Sequence, residues 1–190
     1  MEAFLISVSS VATAEMGDRT QLLALMLAAR FRKPWPIVMG VLCATIANHG
    51  AAGLLGAWVG QHLRPAVLDL AVGISMVGMA LWTLKPDKLE QQASTVSNAG
   101  AFVATLIAFF LAEIGDKTQI ATIALAAAYP NLLAVIAGTT CGMLMANVPV
   151  IFLGNAFAHR LPLRAINIAA SILFVVIGAI FIVRAVMLWK

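Results

Sequence analysis

The sequence predicts an all-α integral membrane protein in which six transmembrane helices form two inverted three-helix repeats. Two observations support this prediction: the apolar composition, with 62% hydrophobic and 11% charged residues, and an internal duplication of the chain. A soluble domain carries about 25% charged residues, so much of the surface of this 190-residue chain must be solvated by lipid. The net charge of +4 is spread over short loops and does not indicate a nucleic-acid partner.

Six apolar stretches are long enough to cross a bilayer, which takes about 20 residues of helix. These stretches cover about 3–29, 35–60, 66–84, 100–128, 131–157 and 165–188. The one long polar stretch between them is 85–99. The predicted organisation is therefore a first three-helix repeat at 1–84, a linker at 85–99 and a second three-helix repeat at 100–190.

An eight-residue motif occurs once in each half of the chain. Residues 14–21 read Ala-Glu-Met-Gly-Asp-Arg-Thr-Gln, and residues 112–119 read Ala-Glu-Ile-Gly-Asp-Lys-Thr-Gln, with six identical positions at an offset of 98. The same offset relates five further pairs: Ser7 and Thr105, Gly40 and Gly138, Cys43 and Cys141, Gly56 and Gly154, and Asp69 and Asn167. With one residue inserted, Asn48 corresponds to Asn147. We interpret the two halves as copies of one unit.

The topology follows from the odd number of helices in each repeat, which makes the two repeats cross the membrane in opposite directions. Apart from the Lys and Arg of the two motifs, ten Lys and Arg remain, of which seven lie on one predicted side and three on the other. Cytoplasmic loops carry the excess of these residues, so we expect 85–99 in the cytoplasm and both termini outside. Inverted repeats around a central site are typical of secondary transporters.

Four acidic residues of the motifs fall near the middle of predicted helices: Glu15 and Asp18 in the first helix, and Glu113 and Asp116 in the fourth. A charge at that depth is costly, so such residues face a protein interior or a water-filled cavity. Arg19 and Lys117 reduce the formal charge of the group to −2, which suits one divalent cation or two protons. We therefore expect the two motifs to form one central acidic site.

The glycine of each motif has two interpretations. In a continuous helix, Glu15, Asp18, Arg19 and Gln21 share one face, and Gly17 lies on the opposite face. There its missing side chain would allow the close approach of another helix. Alternatively, the glycines loosen the helix and release backbone carbonyl groups as ligands.

The residue types indicate a site for a hard cation. Carboxylate, amide and hydroxyl oxygens are the ligands that Ca²⁺, Mg²⁺ and Mn²⁺ take. The predicted metal ligands are Glu15, Asp18, Glu113, Asp116, Gln21, Gln119, Asn48 and Asn147, and the predicted charge-balancing and gating residues are Arg19, Lys117, Thr20 and Thr118. Carboxylates crowded in a medium of low dielectric constant bind protons readily, so protons and metal would compete for this site.

Some of these residues also have a purely structural interpretation. Glu15 and Arg19 are spaced i, i+4, as are their counterparts in the second motif, and such ion pairs can simply stabilise helices. That interpretation leaves Asp18 and Asp116 unexplained.

The polar residues of the second helix of each repeat indicate a cation site less clearly than the motif residues do. Asn48 and Asn147 are candidates for hydrogen bonds between helices as well as for ligands. His49 is not counted among the site residues, because the second repeat has Val148 at the corresponding position.

Both motifs resemble the duplicated Glu-x-Gly-Asp-(Lys/Arg)-(Thr/Ser) signature of the Gdt-type cation/proton antiporters, which include Golgi calcium/manganese transporters and bacterial manganese exporters. The resemblance covers essentially the whole chain. It implies export of Mn²⁺, and in some members of Ca²⁺, in exchange for protons, and its acidic residues correspond to Glu15, Asp18, Glu113 and Asp116. The brevity of the chain favours the manganese branch and the bacterial inner (plasma) membrane.

The leading hypothesis is thus a secondary antiporter that is not an enzyme and needs no resident cofactor. Mn²⁺ or Ca²⁺ would be its transported substrate, protons its coupling ion and the lipid bilayer its surroundings. Ion preference, stoichiometry and oligomeric state, a homo-oligomer included, stay open. A passive cation channel is an alternative. An intramembrane aspartyl hydrolase is a weaker one, because the basic residue after each motif aspartate disfavours two carboxylates sharing a proton.

Overall fold

A computed structural model describes residues 1–84, 100–153 and 163–189. Helix is the only regular secondary structure within these ranges, which confirms the predicted all-α class. The helices are α1 (Glu2–Glu15), α2 (Arg19–Phe31), α3 (Pro34–His62), α4 (Pro65–Thr83), α5 (Ala101–Glu113), α6 (Lys117–Ala128), α7 (Leu132–Leu153) and α8 (Leu163–Leu188). The predicted linker at 85–99 and the last residues of the predicted helix 131–157 lie outside the described residues.

Four of the described helices, α3, α4, α7 and α8, are long and apolar enough to cross a membrane individually. They correspond to the second, third, fifth and sixth predicted helices. Pro34 and Pro65 stand at the first positions of α3 and α4, where the fixed φ of proline suits the first turn of a helix and its missing N–H is not needed.

The prediction of continuous helices at 3–29 and 100–128 is wrong, because each is broken in the middle by three non-helical residues. Gly17 and Gly115 lie in these breaks with φ angles of 84° and 75°, in the left-handed region that glycine adopts without steric cost. A Cβ atom on Gly115 would meet no atom within 4 Å. This glycine therefore interrupts the helix, and it does not serve the close approach of a neighbouring helix.

The two halves pack against each other through equivalent contacts. Helix α1 packs on α7, and α5 packs on α3. A Cβ atom at Gly138 would lie 2.6 Å from the carbonyl oxygen of Phe4, and one at Gly40 would lie 2.9 Å from that of Phe102. These contacts match at the offset of 98 residues. Small residues let helices approach closely where lipid provides no hydrophobic driving force between them.

Polar and apolar side chains are distributed as in a membrane protein. Large apolar side chains are exposed along α4 and α8, among them Leu81 and Ile172. Five charged side chains of the two motifs are buried: Glu15, Asp18, Glu113, Asp116 and Lys117. Buried charges are rare unless they are paired or functional. The helix breaks bring these charges together at the interface between the two halves.

Candidate cation site

The two helix breaks place the acidic residues at the ends of four short helices. Glu15 and Glu113 are the last residues of α1 and α5, and Asp18 and Asp116 are the capping residues before α2 and α6. The carbonyl end of a helix carries a partial negative charge. Half-helices that end near the middle of a membrane provide cation sites in transporters, so the ends of α1 and α5 favour a cation electrostatically.

A glutamine holds each break in place. The Oε1 atom of Gln21 accepts a hydrogen bond from the backbone N–H of Gly17 at 2.9 Å, and the Oε1 atom of Gln119 accepts one from Gly115 at 2.8 Å. These bonds satisfy backbone donors that lose their helical partners at the break. Both glutamines were predicted as ligands. In the structure, the amide oxygen of each glutamine already accepts one hydrogen bond from the backbone.

Ion pairs across the interface join the two motifs. Arg19 Nη2 lies 3.1 Å from Asp116 Oδ1, and Lys117 Nζ lies 2.9 Å from Asp18 Oδ1. Each basic residue thus contacts the aspartate of the other half. Arg19 Nη2 also donates to the carbonyl oxygen of Ala112 at 2.9 Å. The charges of the two basic residues and the two aspartates cancel formally, and the two glutamates remain.

Three carboxylates converge at the centre of the interface. Glu15, Glu113 and Asp116 each offer one oxygen, and these oxygens all lie within 4.8 Å of one another. Both glutamates are fully buried, and their Oε1 atoms have no hydrogen-bond partner among the described residues. A buried carboxylate oxygen without a partner is costly, so this cluster is suited to binding either a cation or protons.

The motif threonines bond to the glutamates of their own half. Thr20 Oγ1 donates to Glu15 Oε2, and Thr118 Oγ1 donates to Glu113 Oε2 at 3.1 Å. Both threonines are fully buried. These hydrogen bonds orient the glutamate side chains, and the predicted charge-balancing and gating role of the two threonines stays a prediction.

The two asparagines differ in their hydrogen bonds. Asn48 Nδ2 donates to the carbonyl oxygen of Phe110 at 3.0 Å, and its Oδ1 accepts a bond from Gln119 Nε2 at 3.4 Å. Asn147 Nδ2 donates to Met143 in its own helix, and its buried Oδ1 has no partner among the described residues. Asn48 therefore links helices, whereas Asn147 bonds within its own helix.

Sequence reasoning missed one residue near the cluster. His49 is fully buried in α3, and its Nε2 lies 4.0 Å from Glu113 Oε2. The comparison of the two repeats gave no signal for it, since the position is histidine in one half only. A signal was available in the rarity of buried ionisable residues within transmembrane helices.

Comparison with known proteins is consistent with this geometry. The sequence profile of the family described as "Divalent cation/proton antiporter GDT1" matches residues 3–91 and 101–188, one stretch in each half of the chain. Each matched stretch contains one helix break and one acidic motif. No solved structure matches the chain.

Named relatives occur in bacteria, fungi and plants. A Vibrio cholerae protein named "Putative manganese exporter" is 49% identical, and the alignment covers 94% of this chain and 89% of that protein. The Saccharomyces cerevisiae protein named "Divalent cation/proton antiporter GDT1" is 22% identical, with coverages of 97% and 85%. "GDT1-like protein 3" of Oryza sativa subsp. indica is 28% identical, with coverages of 91% and 71%.

Proposed function

This chain belongs to the family of divalent cation/proton antiporters, and from that membership and the geometry of its site we propose that it exports Mn²⁺ in exchange for protons. Membership makes the chain an integral membrane transporter of divalent cations and sets aside the interpretation as an intramembrane hydrolase. The proposal extends this conclusion to the ion, the direction of transport and the residues that carry it.

One observation supports the proposal above the others: three buried carboxylates from the two halves lie within 4.8 Å. Glu15 and Glu113 come from the ends of broken helices, and Asp116 precedes α6. Asp18 and Asp116 are paired with Lys117 and Arg19, so the two glutamates carry the negative charge of the site that no basic residue compensates. A charge of −2 matches one divalent cation or two protons.

The exchange follows from competition for these oxygens. When Mn²⁺ binds, the glutamates are ionised and contribute oxygen ligands, which Mn²⁺ accepts. When Mn²⁺ leaves, buried ionised carboxylates without a neutralising cation are unfavourable, so protons replace the metal. The site then holds either the metal or protons, and that alternation couples the two flows. Asn147 Oδ1 is our candidate for a neutral ligand.

Alternating access requires the site to open on each side in turn. We propose that residues 1–84 and 100–190 form inverted repeats in the bacterial inner membrane, with 85–99 in the cytoplasm and both termini outside. The helix breaks at Gly17 and Gly115 support this proposal, because discontinuous helices recur at the binding sites of such transporters. Motion of one repeat against the other would break and remake the ion pairs between the motifs.

Mn²⁺ is favoured over Ca²⁺ as the physiological substrate because a relative that is 49% identical carries the name of a manganese exporter. Oxygen ligands suit both ions, so Ca²⁺ remains a second candidate substrate. A passive channel is less compatible with the site, since tight binding by several carboxylates slows the release of an ion.

The test is transport by the purified protein in proteoliposomes, with internal Mn²⁺ and internal pH followed together. We expect Mn²⁺ and protons to move in opposite directions across the membrane. An imposed pH gradient should drive Mn²⁺ against its own concentration gradient. The double variant E15Q/E113Q should abolish both fluxes. Mn²⁺ movement that does not depend on the pH gradient would identify a channel and overturn the proposal. Replacing Mn²⁺ by Ca²⁺ in the same assay ranks the two ions.

A further inference from the structure

His49 is an anomaly within the first half of the chain. Its side chain is fully buried in α3, and neither ring nitrogen has a hydrogen-bond partner among the described residues. A buried polar group left unsatisfied destabilises the fold, and each such group in a folded protein calls for an explanation such as a bound ion or water.

The imidazole lies at the edge of the carboxylate cluster. His49 Nε2 is 4.0 Å from Glu113 Oε2, and Glu113 is one of the three residues whose oxygens converge. An ion bound at about 2.0–2.3 Å from each of its ligands can contact two atoms that are 4.0 Å apart. The separation is too long for a good hydrogen bond, yet it leaves room for a shared cation.

The buried histidine occurs in one half of the chain only. Asn48 is followed by His49, whereas the corresponding Asn147 is followed by Val148. The motif residues occur in pairs, and the imidazole occurs once. It is therefore not required by the duplicated fold, and the second half packs an apolar side chain at the matching position of its sequence.

We propose that His49 Nε2 is a ligand of the transported cation beside Glu113, and that this nitrogen makes the site favour a first-row transition metal ion over Ca²⁺. The inference rests on the proposed function and names the residue that sets its ion preference. Ca²⁺ takes oxygen ligands, so its binding would leave the buried imidazole unsatisfied. First-row transition metal ions accept a nitrogen ligand, Mn²⁺ least tightly among them, and their binding would satisfy the imidazole.

Pulsed electron paramagnetic resonance tests the ligand directly, because Mn²⁺ is paramagnetic. The full chain is prepared with ¹⁵N-labelled histidine and loaded with Mn²⁺. We expect a ¹⁵N hyperfine coupling of a directly bound nitrogen in the wild type and in the control H62Q, whose histidine is exposed at the end of α3. The coupling should vanish in H49V, which copies the residue of the second half.

The outcomes separate this inference from the proposed function. Bound Mn²⁺ without a ¹⁵N coupling overturns the role of His49 and leaves the carboxylate site standing. A wild-type protein that binds no Mn²⁺ overturns the proposed function itself. Carboxylate variants such as E113Q establish in the same experiment that the bound Mn²⁺ occupies the proposed site.

Ion preference supplies a second readout that a merely structural histidine would not affect. We expect H49V to lower the affinity for Mn²⁺ by at least about tenfold and to leave the affinity for Ca²⁺ unchanged or higher. H49Q, which substitutes an amide oxygen, should shift the Mn²⁺ to Ca²⁺ preference in the same direction. Equal losses for both ions in both variants would show that His49 only supports packing, and would contradict the proposal.

Discussion

Lys117 Nζ lies 2.9 Å from Asp18 Oδ1, so the basic residue of the second motif pairs with the aspartate of the first. The converse pair, Arg19 with Asp116, measures 3.1 Å. The two halves are therefore joined by charge across their interface, at the same place where the carboxylates converge. We expect a motion of one half relative to the other to change these pairs, which would link ion binding to conformation.

The pair between Lys117 and Asp18 should show strong coupling in stability measurements. D18N replaces the buried carboxylate that pairs with the buried ammonium group of Lys117. Removing one partner of a buried ion pair costs about 3–5 kcal/mol. We expect D18N alone to lower the melting temperature in detergent and D18N/K117M to recover most of the loss, while both variants fail to transport.

A matched control for this pair is Arg184, which lies 3.3 Å from Asp69 with 53% of its side chain exposed. Asp69 is buried, but solvent screens the exposed guanidinium group of Arg184, so R184M should lower stability less than D18N does. A double variant at Asp18 and Lys117 that is no more stable than D18N would contradict the account of the buried pair.

The two glutamates should be indispensable for transport and dispensable for folding. E15Q and E113Q preserve side-chain shape and remove the negative charge that the cation requires, so each should reduce Mn²⁺ export to background. Expression and gel-filtration behaviour should match the wild type. The control E2Q alters an exposed carboxylate at the start of α1 and should export normally. Measurable export by either site variant would remove that glutamate from the binding site.

The glycine in each helix break should resist substitution for a backbone reason. At Gly115 the space around a new Cβ atom is open, so G115A tests the positive φ angle alone. A left-handed conformation costs an L-residue about 1–2 kcal/mol, and we expect a loss of stability of that size with impaired transport. G78A is the control, since Gly78 also has open space but sits within helix α4. It should be neutral or slightly stabilising.

The close contact between α3 and α6 should depend on Gly56. A Cβ atom there would lie 2.2 Å from the carbonyl oxygen of Ile123, so G56A must push the two helices apart. We expect a clear loss of thermal stability. G50A, in the same helix and with no atom near its Cβ position, should be tolerated. Equal melting temperatures for G56A and G50A would show that the helices separate without cost.

The sequence predicted the class of fold and the central acidic group because both depend on local features. Apolar length marks transmembrane helices whatever their neighbours, and charges in such helices mark functional sites. The duplicated motif added that Glu15 and Glu113 would be equivalent. These inferences needed no knowledge of which helices touch.

The rest depends on tertiary contacts that sequence spacing does not encode. The i, i+4 spacing pointed to pairing within each motif, whereas the basic residues contact the aspartates of the other half. The helix breaks were one of two interpretations of Gly17 and Gly115, and continuous helical geometry was assumed for the charged faces. His49 was passed over because it has no counterpart, and only its distance from Glu113 reveals its position.

In the proposed exchange, one acidic site holds either a divalent cation or protons. The most direct measurement is the number of protons released when Mn²⁺ binds to the purified protein in weakly buffered detergent solution. We predict release of one to two protons for each Mn²⁺ bound, as two protonatable glutamates allow, with the release greatly reduced in E15Q/E113Q. Binding of Mn²⁺ to the wild type without proton release would show that protons and Mn²⁺ do not compete for this site.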